Sequence, residues 1–336
     1  MTLQQLKKTL SKKQTITIFT HWSPDGDAMG SSLGLYNYLK LGKHTIRVIT
    51  PNDYPDYLHW IPGNSNVLDF QKEEKKALAH IQKSDIIFCL DFNHYYRLED
   101  KLGAIASKAK GLKVLIDHHE QPTIAADYVL HNVHSSSTCE LVYDFICSLG
   151  GKKAITKNIA NCLYTGIMTD TGSFKFPSTK AKTHRVIADL IEAGAENSKN
   201  NSLIHDNYTY DRLKLLGYSL YEKLNVMPEI HTAYLGLTQK EQDKFNFKKG
   251  DTEGLVNYAL SIKEIKFSVF FTERDGKVKM SFRSKGAFDV NKFARKHFDG
   301  GGHKNASGAS SKLSLKQTID KFLKALPDYK TELTRS

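Results

Sequence analysis

The sequence predicts two α/β domains: an N-terminal one with a mostly parallel sheet covered by helices, and a smaller α/β one at the C-terminus, joined by a helical linker. Three observations carry this. Short, β-branched, near-continuous apolar runs alternate with helix-like segments from residue 15 to about residue 130, the pattern of strands buried on both faces. A block of amphipathic segments follows, and then a second alternation of strand-like and helical patterns. The 336 residues suffice for two cores of ordinary size.

In chain order, the strands of the first alternation are TITIF (15–19), HTIRVIT (44–50), DIIFCLDF (85–92), LKVLIDHH (112–119) and DYVLHN (127–132). Helices are expected over 137–151, 155–168 and 182–195, where apolar residues recur at spacings of three and four. The stretch 205–226 has no Pro and one Gly, and reads as one long connecting helix. TAYLGL (232–237), IKFSVFFTER (265–274) and KVKMSFRS (277–284) are the strands of the second domain, and LKQTIDKFLKAL (315–326) is its closing helix. The expected layout is a first domain over 1–196, a helical linker over 197–228 and a second domain over 229–336. No internal repeat or low-complexity tract is present.

Composition narrows the class. With 40% hydrophobic and 25% charged residues the chain is globular. No apolar run approaches the roughly 18 to 20 residues of a membrane span, and the N-terminus lacks the apolar block of a signal peptide, so a soluble, cytoplasmic protein is expected. Cys89, Cys139, Cys147 and Cys162 sit singly among apolar neighbours, never in a CxxC spacing, and read as buried free thiols rather than zinc ligands. A formal charge of +12 favours anionic partners. Residues 226–336 hold 21 basic and 13 acidic side chains, so the C-terminal third carries most of the excess.

In an open parallel sheet, ligands gather outside the carboxyl ends of the strands. The polar oddities of this chain lie there. TITIF leads into His21, Asp25 and Asp27; DIIFCL into Asp91; LKVLI into Asp117, His118 and His119. Asp170, in GIMTDTGSF, follows an apolar helical segment. Taken singly, each has a plain reading as turn, cap or solvated strand end. Brought together, the carboxylates would repel one another unless protons or cations intervene. Aspartate and imidazole without thiolate suit hard or borderline divalent ions such as Mn²⁺, Mg²⁺, Fe²⁺ or Co²⁺. A pair of such ions roughly 3.5 to 4 Å apart makes a hydrolytic centre for phosphoryl groups. It needs a bridging carboxylate, and Asp91 is the candidate.

Further along, Gly300, Gly301 and Gly302 leave no side chain between backbone amides and an approaching oxyanion, with His303 as a donor beside them. Arg283, closing a strand, is placed to clamp a phosphate with two parallel hydrogen bonds. Lys292, Arg295 and Lys296 read as a solvated helix face. Phe174 and Tyr95 are open to base stacking, with core packing as the commoner reading.

HWSPDGD, the isolated Asp91, DHH at 117–119 and TDTGSF at 169–174 resemble the four motifs of the DHH phosphoesterase superfamily, and FRS with GGGHKNASG at 300–308 resembles its DHH-associated domain of the first type. Length and layout most resemble the bacterial bifunctional nanoRNases, which degrade short RNA and remove the 3′-phosphate of adenosine 3′,5′-bisphosphate (pAp). The resemblance implies two Mn²⁺ ions, with Mg²⁺ or Co²⁺ as substitutes. His21 and Asp25 would hold one, Asp27, His118 and Asp170 the other, and Asp91 both. It implies that His119 faces the substrate phosphate, that Asp117 orients a histidine, and that Ser284 joins Arg283, the three glycines and His303 in binding substrate. The partners implied are short oligoribonucleotides and pAp, with no membrane and with a homodimer admitted. Cyclic di-AMP or pApA as main substrate is the alternative reaction, and a non-catalytic nucleotide-binding regulator the alternative of another class.

Overall fold

The computed structural model describes residues 1–335, which fall into two compact units divided between Asn207 and Tyr208. In the first, the strands are β1 (Thr15–Phe19), β2 (Thr45–Thr50), β3 (Val67–Asp69), β4 (Ile86–Leu90), β5 (Leu112–Asp117) and β6 (Tyr128–His131). The helices are α1 (Leu3–Leu10), α2 (Gly26–Leu39), α3 (Phe70–Ile81), α4 (Asp100–Lys108), α5 (Thr138–Gly150), α6 (Lys157–Asp170), α7 (Ala181–Glu192) and α8 (Asn197–His205).

All six strands run parallel in the order β3-β2-β1-β4-β5-β6. Ile16 lies opposite both Ile46 and Ile86, so the β-branched runs stack row on row at the centre. The order reverses between β1 and β4, and the carboxyl ends of those two strands form the switch point where doubly wound sheets bind ligands. One apolar cluster, with Ile16, Ile18, Phe88 and Val114, lies under α2, α5 and α6; a second, with Phe19, Cys89, Phe92 and Leu115, covers the other face. Nearly every residue of α2 is buried, Asp27, Ser31, Ser32 and Asn37 among them.

Strand β3, which the sequence pattern did not reveal, has three half-buried residues at a sheet edge. Cys89, Cys139 and Cys162 are buried, Cys147 is half-buried, and all four are free thiols. Among the described residues no helix is long and apolar enough to cross a membrane.

The second unit contains α9 (Tyr210–Glu222), β7 (Asn225–Met227), β8 (Thr232–Leu237), α10 (Gln239–Lys244), α11 (Leu255–Ser261), β9 (Phe267–Arg274), β10 (Lys277–Ser284), α12 (Val290–His297), β11 (Asp299–His303), β12 (Ala306–Ser311), α13 (Leu315–Ala325) and α14 (Lys330–Thr334). Its sheet, ordered β11-β12-β10-β9-β8-β7, is antiparallel except for the parallel β8–β9 pair. Phe267, Phe282, Phe293 and Phe322 form an aromatic core between it and the helices.

The stretch read as one helix over 205–226 is broken. α8 ends at His205, Thr209 caps α9 by accepting from the Arg212 amide, and Asn225–Met227 pairs with β8 as a strand. A side chain that can cap is also one that competes with helix continuation, and the sequence offers Asn207 and Thr209 at that point.

Candidate metal centre

The residues after β1 begin the site. His21 is buried, and its Nδ1 lies 2.9 Å from the Trp22 carbonyl. A carbonyl only accepts, so Nδ1 carries the proton and the Nε2 lone pair is left to face Asp91 Oδ2 at 3.4 Å and Asp25 Oδ2 at 3.8 Å. Asp25 is the N-cap of α2: its Oδ1 accepts from the amides of Asp27 and Ala28, each at 3.0 Å. One carboxylate thus serves as cap through one oxygen and faces the histidine through the other.

Asp27, in the first turn of α2, points to the N-terminus of α5. The amides of Thr138 and Cys139 donate to its two oxygens at 2.7 and 2.9 Å. The Thr138 hydroxyl donates to Asp91 Oδ1 at 2.9 Å. Asp91 follows β4 in the left-handed region (φ 64°), a backbone state that costs a non-glycine residue about 1 kcal/mol or more. Strain at the residue on which the site converges marks a position held by its surroundings.

His118 completes the arrangement. Its Nε2 lies 3.5 Å from Asp91 Oδ1, 3.7 Å from Asp170 Oδ2 and 3.8 Å from Asp27 Oδ2. His119 turns the other way: its Nδ1 donates to Asp117 Oδ1 at 2.8 Å and lies 3.7 Å from Asp91 Oδ1. Asp117 is fully buried, and its Oδ2 has no hydrogen-bond partner among the described residues.

Three sets of side chains therefore bring ligand atoms within 4.8 Å of one another, each including Asp91: His21 with Asp25, Asp27 with His118, and Asp117 with His119. The electrostatics state what such crowding requires. Burial, and then the carboxylates of Asp91 and Asp170, push the Asp27 carboxyl well above its usual range. Burial alone would lower His118, but Asp170, Asp91 and Asp27 raise it to about 9. The pocket draws in positive charge. The donors are carboxylate and imidazole, with the Nδ1 proton of His21 held by a carbonyl and that of His119 by a carboxylate, and this set fits hard or borderline divalent ions.

Glycines set the spacing of the helices that carry these groups. A Cβ on Gly30 of α2 would lie 2.6 Å from the Cys162 carbonyl oxygen and 3.0 Å from the Gly166 amide of α6. Backbone meets backbone there, which brings the start of α2, with Asp27, beside the end of α6, with Asp170.

Models of the DHH family's N-terminal domain and of the DHHA1 domain match residues 15–167 and 229–332. A Thermus thermophilus protein named bifunctional oligoribonuclease and PAP phosphatase NrnA is 31% identical over 327 residues, covering 96% of this chain and 91% of that protein. The chain belongs to the DHH family. A Bacillus subtilis protein of the same name is 29% identical, over 91% of this chain and 92% of its own. The crystal structure of an exopolyphosphatase-related protein from Bacteroides fragilis superposes with a TM-score of 0.94 at 38% identity, covering 99% of this chain and 97% of the other.

Within the DHHA1 domain the three glycines form an edge strand. Gly301 pairs with Gly308 and Gly302 with Ser307, and Gly302 has φ 148°. A Cβ on Gly300 would lie 2.5 Å from the Gly308 carbonyl oxygen, and one on Gly302 2.7 Å from the Ala306 carbonyl oxygen, so close strand packing explains both. The register sets Arg283 and His303 on either side of Ala306. Ser284 is buried; its hydroxyl donates to the Phe288 carbonyl and accepts from Asn305. Arg295 is exposed, as expected, but its guanidinium lies 3.6 Å from where a Gly301 side chain would begin, with Nε donating to Asn291.

Thr138 is the residue that reading the sequence missed. The signal for Thr138 was present: Ser137 caps α5 by accepting from the Glu140 amide, the S/T-x-x-E pattern of a helix start. Phe174 packs on Tyr164 and His184, and the buried hydroxyl of Tyr95 faces the interior, so both take the packing role.

Proposed function

We propose that this protein is a Mn²⁺-dependent, two-metal phosphoesterase that shortens RNA of about two to five nucleotides to mononucleotides and removes the 3′-phosphate of pAp. It is a hydrolase of phosphoester bonds. The single observation that carries the two-metal reading is Asp91, whose oxygens face His21 on one side and His118 and His119 on the other. The names of the Thermus and Bacillus relatives support the substrate classes.

In this reading His21 and Asp25 hold one ion, Asp27, His118 and Asp170 the other, and Asp91 both; Mg²⁺ or Co²⁺ substitutes. Bound divalent ions supply a water of lowered pKa and neutralise charge on phosphoryl oxygens. The chain's own groups do the rest. Asp117 accepts from His119 Nδ1 and would stabilise the imidazolium form, whose Nε2–H can then donate to the substrate phosphate. Thr138 holds Asp27 and Asp91 apart at fixed positions. The first unit is the catalytic domain, and in the second Arg283, Ser284, Gly300, Gly301, Gly302 and His303 bind the substrate's phosphate, with Arg295 added to them here.

The test is a side-by-side assay with Mn²⁺ on pAp, RNA dimers to pentamers, pApA, cyclic di-AMP and pyrophosphate. Specificity constants highest for pAp and the short RNAs are expected. Preference for cyclic di-AMP or pyrophosphate, or no turnover of any substrate, overturns the reading.

A further inference from the structure

Glu140, in the first turn of α5, is a buried carboxylate. An acid at this place in the S/T-x-x-E pattern normally folds back onto the amide of the capping residue. Here only half of that exchange is made. Ser137 Oγ accepts from the Glu140 amide at 3.1 Å, but the carboxylate turns elsewhere. Its Oε2 accepts from the hydroxyls of Ser136 at 2.6 Å and Thr183 at 2.9 Å, and its Oε1 lies 3.3 Å from Lys182 Nζ. Taking a carboxylate out of water carries a desolvation cost that an apolar side chain between α5 and α7 would not incur. The compensation lies in what the carboxylate holds.

On one side it holds the serine segment 135–137, which runs beside the metal centre. The Ser135 carbonyl oxygen lies 3.5 Å from His118 Nδ1, while Nε2 of that ring faces the carboxylates. Next along the chain come the amides of Thr138 and Cys139, which donate to Asp27. On the other side Thr183 lies in the first turn of α7, the helix that residues 171–180 join to Asp170. Lys180 Nζ, from the cap of the same helix, donates to the His134 carbonyl at 2.9 Å, so α7 grips the segment at two points. His118, Asp27 and Asp170 therefore all adjoin the parts that Glu140 ties together. His21 and Asp25 follow β1 and lean instead on the Trp22 carbonyl and the start of α2.

We infer, resting on the two-metal reading, that Glu140 is the positioning residue of the ion site made by Asp27, His118 and Asp170. It acts through the Ser136 hydroxyl on the segment behind His118, and through Thr183 on the chain that carries Asp170. A carboxylate suits the task because one oxygen accepts from two hydroxyls while the other faces an ammonium.

Two measurements on the full chain test this: Mn²⁺ titration, with occupancy of each ion read from the anomalous signal of crystals at limiting metal, and hydrogen exchange of the metal-free chain. Glu140→Ala is expected to weaken the ion at Asp27, His118 and Asp170 by about 10- to 100-fold. The ion at His21 and Asp25 should stay within about twofold of the parent. Without metal, the amides of Thr138 and Cys139 are expected to exchange about tenfold faster or more. Ser136→Ala removes one hydroxyl and leaves the ties of Glu140 to α7. It is expected to weaken the same ion by about tenfold with its melting temperature close to the parent's, which keeps the test decisive even if Glu140→Ala fails to fold. Glu140→Gln keeps an oxygen for both hydroxyls, Lys182 keeps Asp144, and Mn²⁺ affinity within about threefold of the parent is expected. Equal weakening of both ions, or parent affinity in Ser136→Ala, overturns the proposal. So does a Glu140→Ala chain that melts earlier yet binds Mn²⁺ and exchanges as the parent does. A parent chain that binds a single ion fails the two-metal reading instead, and exchange then decides alone: unchanged protection of the Thr138 and Cys139 amides in Ser136→Ala overturns the positioning role.

Discussion

The hydroxyl of Thr138 donates to Asp91 Oδ1 at 2.9 Å, while the amide of the same residue donates to Asp27 Oδ2 at 2.7 Å. A single residue thereby fixes two carboxylates that would otherwise repel, and it does so from the N-terminus of α5, which itself favours negative charge. Thr138→Val keeps the amide and the shape and removes only the hydroxyl. Affinity for Mn²⁺ is expected to fall about 10- to 100-fold, the usual cost of losing a partner behind a metal ligand. Titration with Mn²⁺ measures it, and excess Mn²⁺ is expected to restore turnover.

Asp117 accepts from His119 at Oδ1, and its Oδ2 has no hydrogen-bond partner among the described residues. Asp117→Asn leaves the packing intact and removes the charge that stabilises the imidazolium form of His119. The number of Mn²⁺ ions bound is expected to stay as in the parent while kcat falls about 10- to 100-fold. Counting bound metal alongside steady-state kinetics separates this from a loss of metal.

Two glycines give opposite expectations. Gly30→Ala drives a Cβ into the Cys162 carbonyl and should cost about 1 to 3 kcal/mol and weaken metal binding, because α2 and α6 must part. Gly217→Ala meets nothing and should stabilise the chain by about 0.5 to 1 kcal/mol. Urea unfolding of the two variants checks both signs.

Glu241 gives a pH dependence away from the metal groups. Burial by itself would raise its carboxyl, but Lys223, the Thr238 amide and Tyr218 hold it at about 2. An unfolded glutamate titrates near about 4.3. The folded value is the lower one, so this contribution to stability is present above about pH 4.3 and is lost as pH falls from there towards 2. Glu241→Gln should be less stable than the parent at neutral pH, with the gap closing in acid. Urea unfolding at a series of pH values measures it.

The parallel sheet was legible because its strands are continuous apolar runs, and the rule for strand ends then pointed to His21, Asp91 and His118 without any tertiary information. What stayed hidden depends on contacts far apart in sequence. A helix-start signal at Ser137 does not say that the next amide faces Asp27. Gly300–Gly302 form an edge strand because Gly308 lies across from Gly301, and no local pattern records that. Asp91 gives no hint in the sequence of its left-handed backbone. β3 is too short to show an alternation, and the break at residues 206–209 was outweighed by the apolar spacing on either side of it.

A crystal grown with Mn²⁺ and measured for anomalous scattering tests the central claim most directly. Two peaks are expected, both in contact with Asp91, one reaching His21 and Asp25 and the other Asp27, His118 and Asp170. A single peak, or manganese bound away from Asp91, would contradict the two-metal centre.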